Sequence, residues 1–123
     1  MRRVVVTGLG LVSPLGNTVS ESWSALLAGK SGIAPITSFD ATPFNCRIAA
    51  KVKGFDATKA LGIKDGRRFE PFTAYGVSAA MEALDDAGLT FCDENPACNR
   101  AGTIIGSGIG GIATKCRDYA AFL

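Results

Sequence analysis

Hydrophobic and polar positions along the chain predict three helices and a set of short extended runs. Val4-Val5-Val6 opens an apolar, β-branched run, the pattern of a strand buried on both faces in a parallel sheet. Thr7-Gly8-Leu9-Gly10 bends or ends it, and Ser13 to Asn17 reads as a loop. Thr18 with Glu21 has capping-box spacing, so a helix starts there. Trp23, Leu26 and Leu27 form its apolar stripe, and Gly29 is its stop. Residues 30–66 are punctuated by Pro35, Pro43, Gly54, Gly62 and Gly66. They predict a long excursion with short elements, including a strand near Ile48 to Val52. An irregular stretch of this length in a small domain is often functional.

The strongest helical signal runs from Pro71 to about Ala87 and stops at Gly88. Pro71 suits the first turn, and Glu70 suits the positive N-terminal end. Gly76, Ala79, Ala80, Ala83 and Ala87 make a small-residue face that another backbone can approach closely. Phe72, Tyr75, Met81 and Leu84 supply bulk, and few charges precede Glu82, so the helix is expected to be largely buried. A polar loop from Thr90 to Arg100 follows, then a second buried strand at Ala101–Ile105. That strand runs into Gly106-Ser107-Gly108-Ile109-Gly110-Gly111 and a final helical stretch. The chain ends on Phe122-Leu123 with no polar tail, which reads as a cut.

Composition narrows the chemistry. The chain has 123 residues and no histidine. A length of this order suits one domain. Without histidine there is no His-based general base, no Ser-His or Cys-His pair and no Cys/His zinc site. Cys46, Cys92, Cys98 and Cys116 form no C-x-x-C pair, so no metal site is expected. Arg2-Arg3 before the valines resembles a signal n-region, but Thr7, Gly8 and Gly10 break the apolar run and no cleavage site follows. Reduced thiols in the cytoplasm are the expectation. No apolar stretch approaches the ~20 residues of a membrane span.

Net charge is +2, too little to suggest nucleic-acid binding by itself. Its distribution is uneven. Arg47, Lys51, Lys53, Lys59, Lys64, Arg67 and Arg68 are offset only by Asp56 and Asp65 in that segment. Glu82, Asp85, Asp86, Asp93 and Glu94 follow with no base among them. The basic segment is either solvated surface or a docking patch for an acidic partner.

Gly106-x-Gly108-x-x-Gly111 matches the dinucleotide fingerprint and follows a predicted strand. The fingerprint also needs a second strand bearing an acid about 20 residues on. Only the predicted final helix follows Gly111, and its acid, Asp118, lies within it. Gly8-x-Gly10 has Ser13 where the third glycine belongs. Backbone crossing backbone at a packed interface accounts better for Gly8, Gly10, Gly106, Gly108, Gly110 and Gly111. No cofactor is expected.

Three motifs in order carry a resemblance. Val4-Val-Val-Thr-Gly-Leu-Gly-Leu-Val-Ser-Pro-Leu-Gly-Asn17 resembles the N-terminal signature of the elongating β-ketoacyl-acyl-carrier-protein synthases. Trp23-x-x-Leu-Leu-Ala-Gly-Lys-Ser-Gly-Ile33 continues it. Ile105-Gly-Ser-Gly-Ile-Gly-Gly111 completes it, in a form closer to the type II than the type I synthase. The resemblance covers essentially the whole chain.

It implies an α/β, thiolase-like fold, of which residues 1–123 are the N-terminal part of the first of two similar halves in an αβαβα arrangement. It implies a cytoplasmic homodimer acting in fatty acid biosynthesis. Such an enzyme condenses malonyl on acyl carrier protein with an acyl chain held on a Cys, with loss of carbon dioxide. The catalytic Cys and two His match no residue of this chain, so the 123 residues alone are expected to be inactive. The resemblance places carrier docking on Lys64, Arg67 and Arg68, where the charge pattern also points. It places Ile109 in the acyl pocket near the dimer interface. An exposed solvated turn and plain core packing are the respective alternatives.

Overall fold

The computed structural model describes residues 3–91 and 96–123. Arg2, Cys92, Asp93 and Glu94, named above, lie outside them. The first helix, α1, spans Val19–Leu27. Thr18 Oγ1 accepts the Glu21 N–H at 3.2 Å. The return bond of the expected capping box lands one residue earlier: Asn17 N–H donates to Glu21 Oε2 at 2.7 Å. The helix ends as its glycine predicts. Gly29 has φ +64°; its N–H donates to Leu26 O, and that of Lys30 to Ala25 O. This pair of bonds is a Schellman cap. The face that packs is not the expected apolar stripe. Ser22 and Ala25 are buried, whereas Trp23, Leu26 and Leu27 are exposed.

Two short strands, β1 (Ile33–Pro35) and β2 (Ile48–Ala50), pair antiparallel with Ala34 opposite Ala49. The Ile36 N–H to Arg47 O bond extends the pairing by one step. The strand expected near Ile48–Val52 is therefore present as β2. Two short helices follow, α2 (Ala57–Leu61) and α3 (Ile63–Arg68).

The long helix α4 spans Pro71–Asp86 with Pro71 at its start. It closes with a second Schellman cap: Gly88 (φ +64°) donates to Asp85 O and Leu89 to Leu84 O. Only Ala74 on this helix is fully buried, so the expectation of a largely buried helix is corrected to a half-buried one. A 3₁₀ turn at Pro96–Arg100 lies within the expected polar loop. The last helix, α5, spans Ile112–Phe122.

The expected strands at Val4–Val6 and Ala101–Ile105 form no ladder, so no parallel sheet exists among the described residues. Val4 is 95% exposed and Ile104 fully exposed. A β-branched run favours extended backbone, but a ladder needs a partner strand, and here neither run meets one. What holds the N-terminal segment instead is α4. Gly8 and Gly10 lie directly on its backbone beside Ala79, Ala83 and Ala87, the expected small-residue face. Three bonds fasten the approach. Leu9 N–H donates to Asp86 Oδ2 at 2.9 Å, Leu11 N–H to Glu82 Oε2 at 2.9 Å, and Val19 N–H to Glu82 Oε1 at 2.8 Å.

Packing among the described residues is accordingly done by small side chains. Ala25, Ala41, Ala74 and Ser22 are the buried ones; Phe55, Tyr75, Val77 and Leu84 are half-buried, and many other large aliphatic and aromatic residues are exposed.

Candidate functional site

The basic cluster sits on α3, and its mounting can be built from the sequence upward. Asp56 caps α2: its Oδ1 accepts from Thr58 N–H (2.9 Å), Lys59 N–H (3.3 Å) and the Thr58 hydroxyl (2.7 Å). Gly62, at φ +83°, turns the chain between α2 and α3 in a conformation that favours glycine. Gly66 then lets α3 rest on α2. A Cβ there would stand 2.5 Å from Thr58 Cα and 2.6 Å from the Ala57 carbonyl carbon, so the contact is backbone on backbone. Lys64, Arg67 and Arg68 occupy α3 at i, i+3 and i+4, a spacing that sets them along one side of the helix. Lys64 is exposed.

The Asp56 carboxyl is held below the ordinary carboxylate value, first by the Thr58 hydroxyl, then by the Lys59 and Thr58 N–H groups. Asp40 is lowered in the same sense by Thr42. A lowered folded-state value means that these bonds contribute fully above the unfolded value and are lost as pH falls through the folded one. Asp56→Asn is therefore expected to lower stability slightly at neutral pH, where the charged acceptor contributes, and so to flatten part of the acid limb below about pH 4. Urea midpoints from pH 7 to pH 2 check this, and an unaltered acid limb would refute it.

Glu70 and Phe72, which follow the basic cluster in sequence, lie against the glycine loop. The loop leans on the start of α4: Ile105 methyls lie 3.8 Å from a Cβ built at Gly76, and the Phe72 ring 3.6 Å from one at Gly110. A cleft of about 380 Å³ opens between them, lined mainly by Phe72, Gly76, Val77 and Ile105. Ile109 stands outside this cleft and is 67% exposed. The glycines differ in what requires them. Gly110 has φ +66°, and Gly111 faces the Glu70 carboxylate, whereas nothing lies within 4 Å of a Cβ at Gly106 or Gly108.

Among the described residues no group of His, Cys, Asp or Glu is arranged to hold a metal. Cys46, Cys98 and Cys116 form no disulfide. No helix among the described residues is long and apolar enough to cross a membrane. Gly66, Glu82 and Asp86 carry structural duties that the sequence pattern did not single out. The i, i+4 spacing of Glu82 and Asp86 was visible, but the N–H groups they bind are remote in sequence.

The three ordered motifs extend to a match along the whole chain. Residues 1–121 match the family described as the beta-ketoacyl synthase N-terminal domain. The chain belongs to that family. It is 55% identical over 111 residues to 3-oxoacyl-[acyl-carrier-protein] synthase 2 of Vibrio harveyi, covering 90% of this chain and 26% of the relative. It is 49% identical over 122 residues to the synthase of the same name from Coxiella burnetii, covering 99% and 29%. Among solved structures, the ishigamide ketosynthase/chain length factor superposes with a TM-score of 0.63 at 40% identity, over 72% of this chain and 22% of that one. This ketosynthase domain segment thus spans about a quarter of the length of the curated relatives it matches. Membership implies a thiolase-like fold, of which the segment shows the helical part and little of the sheet.

Proposed function

We propose that these residues are the N-terminal part of an elongating β-ketoacyl-acyl-carrier-protein synthase, and that they serve docking and framework rather than bond chemistry. The observation that carries this reading is the 49% identity over 99% of the chain to 29% of a named synthase. The whole enzyme would be a cytoplasmic homodimer with αβαβα layers. It would hold the growing acyl chain on a Cys nucleophile. Two histidines would promote decarboxylation of the malonyl group and steady the enolate that attacks the thioester. The two histidines would not come from these 123 residues, which contain none, and by the resemblance none of Cys46, Cys92, Cys98 and Cys116 matches the nucleophile.

Within this division Lys64, Arg67 and Arg68 receive the acidic carrier protein. Three like charges on one short helix steer an anionic partner and set its register, and their attraction weakens with salt. The backbone seat of α3 at Gly66 gives that charge a fixed mounting. Ile109 would line the acyl pocket close to the dimer interface.

The test titrates acyl carrier protein against the protein expressed from its complete reading frame, with and without Lys64→Glu, Arg67→Glu and Arg68→Glu together. At least about tenfold weaker binding is expected, with a shallower salt dependence. Equal affinity would overturn docking through α3. Condensation by the complete protein, and none by the 123-residue polypeptide, separates this reading from a docking module without catalysis.

A further inference from the structure

Glu70 occupies the N-cap of α4, yet its side chain makes no capping bond to that helix. Only its backbone carbonyl serves α4, accepting from Thr73 and Ala74 N–H at 3.0 and 3.1 Å. The carboxylate goes elsewhere. A Cβ built on Gly111 would stand 2.7 Å from Glu70 Oε1 and 2.9 Å from Oε2, so the two oxygens lie against the Gly111 backbone. Gly111 is the N-cap of α5, which has neither a side-chain cap nor an acidic residue in its first turn. A helix start presents unpaired N–H groups and about half a positive charge. The start of α5 therefore lacks a local anion, and the carboxylate of Glu70 lies beside it.

We propose that Glu70 is a positioning residue whose carboxylate charge, held beside the start of α5 from α4, steadies that helix end and thereby seats the Gly106–Gly111 loop. The loop's other anchors on α4 are apolar: the Phe72 ring against Gly110 and the Ile105 methyls against Gly76. Residues 101–109 are otherwise exposed, so the α4 start is the surface that orients them. Gly111 then owes its identity to Glu70, because any side chain at that position would displace the carboxylate. Ile109 lies two residues before Gly111, and Arg68 two residues before Glu70. The charged contact thus stands between the basic turn and the loop bearing Ile109. Its consequence for acyl selection rests on the proposed function; its effect on the start of α5 does not.

The experiment compares the protein from its complete reading frame with Glu70→Ala, Glu70→Gln and Gly111→Ala. Amide exchange in the first turn of α5, residues 112–115, is expected to quicken about two- to fivefold in all three. Exchange in the first turn of α4, residues 72–75, is expected to hold. Preference among acyl-chain lengths should shift while KM for the carrier-bound substrate stays put, and Lys64→Glu should do the reverse. Unchanged exchange at 112–115, or loosening confined to 72–75, would overturn the proposal. An unchanged chain-length profile despite faster exchange would overturn its link to acyl selection. A wild type without condensation activity would instead refute the functional reading, and the exchange comparison would still decide whether Glu70 steadies α5.

Discussion

Gly10→Val is expected to cost about 3–5 kcal/mol, much of a typical domain's stability. A Cβ at Gly10 would overlap the Ala79 carbonyl oxygen and stand 2.8 Å from the Ala83 nitrogen. These are backbone atoms of α4, so no rotamer change relieves the overlap. The segment must lift away, which breaks the Leu9–Asp86 and Leu11–Glu82 bonds, both 2.9 Å. Overpacking contributes about 1–3 kcal/mol and each lost bond to a carboxylate about 1 or more. Urea midpoints of the protein from its complete reading frame measure the sum. Gly108→Ala is the control: nothing lies within 4 Å of its Cβ, so a change under about 0.5 kcal/mol is expected. A Gly10→Val midpoint equal to that of the control would show that the N-terminal segment does not seat on α4.

The second large effect is expected at Glu82. Its two oxygens serve two separate backbone donors, Leu11 N–H at 2.9 Å and Val19 N–H at 2.8 Å. Val19 is the first residue of α1, so Glu82 joins the N-terminal segment and the start of α1 to α4 at once. Glu82→Ala leaves both donors without a protein partner. Water reaches this partly exposed site and replaces part of each bond, so the expected loss is about 2 kcal/mol. Glu82→Gln retains one carbonyl acceptor but turns an amide N–H₂ towards the other donor, and about 1 kcal/mol is expected. Denaturant midpoints of the three proteins should fall in that order. Indistinguishable midpoints would mean that solvent satisfies Leu11 and Val19 equally well.

Much of the local architecture was legible. Thr18 with Glu21, Gly29, Pro71 and Gly88 bound α1 and α4 in the structure as their chemistry predicts. Such caps act within a few residues, so a single sequence contains the whole interaction. The small face of α4 was legible too, and its partner follows from periodicity. Two residues of extended chain advance about 6.6 Å, and four residues of helix about 6 Å. Gly8 and Gly10 therefore meet successive turns of α4, Gly8 at Ala83 and Ala87, Gly10 at Ala79 and Ala83. The candidate site was legible as charge: Lys64, Arg67 and Arg68 stood out against the following acidic stretch.

The valine run shows where that reading ends. Val4-Val5-Val6 carries a strand's composition, but the residues that would pair with it are not written in its own neighbourhood. Likewise Trp23, Leu26 and Leu27 form a good helical stripe, yet Ser22 and Ala25 face the packing. By itself the sequence determined the limits of α1 and α4, the family and the charge of the segment that forms α3, because caps, ordered motifs and net charge are local or additive. Only the tertiary structure decided that α3 rests on α2 through Gly66, that Glu82 and Asp86 take the place of a strand partner for the N-terminal segment, and that the Glu70 carboxylate lies against Gly111 at the start of α5 rather than capping its own helix. Each of those depends on which remote backbone reaches a given side chain, and no local pattern encodes that distance.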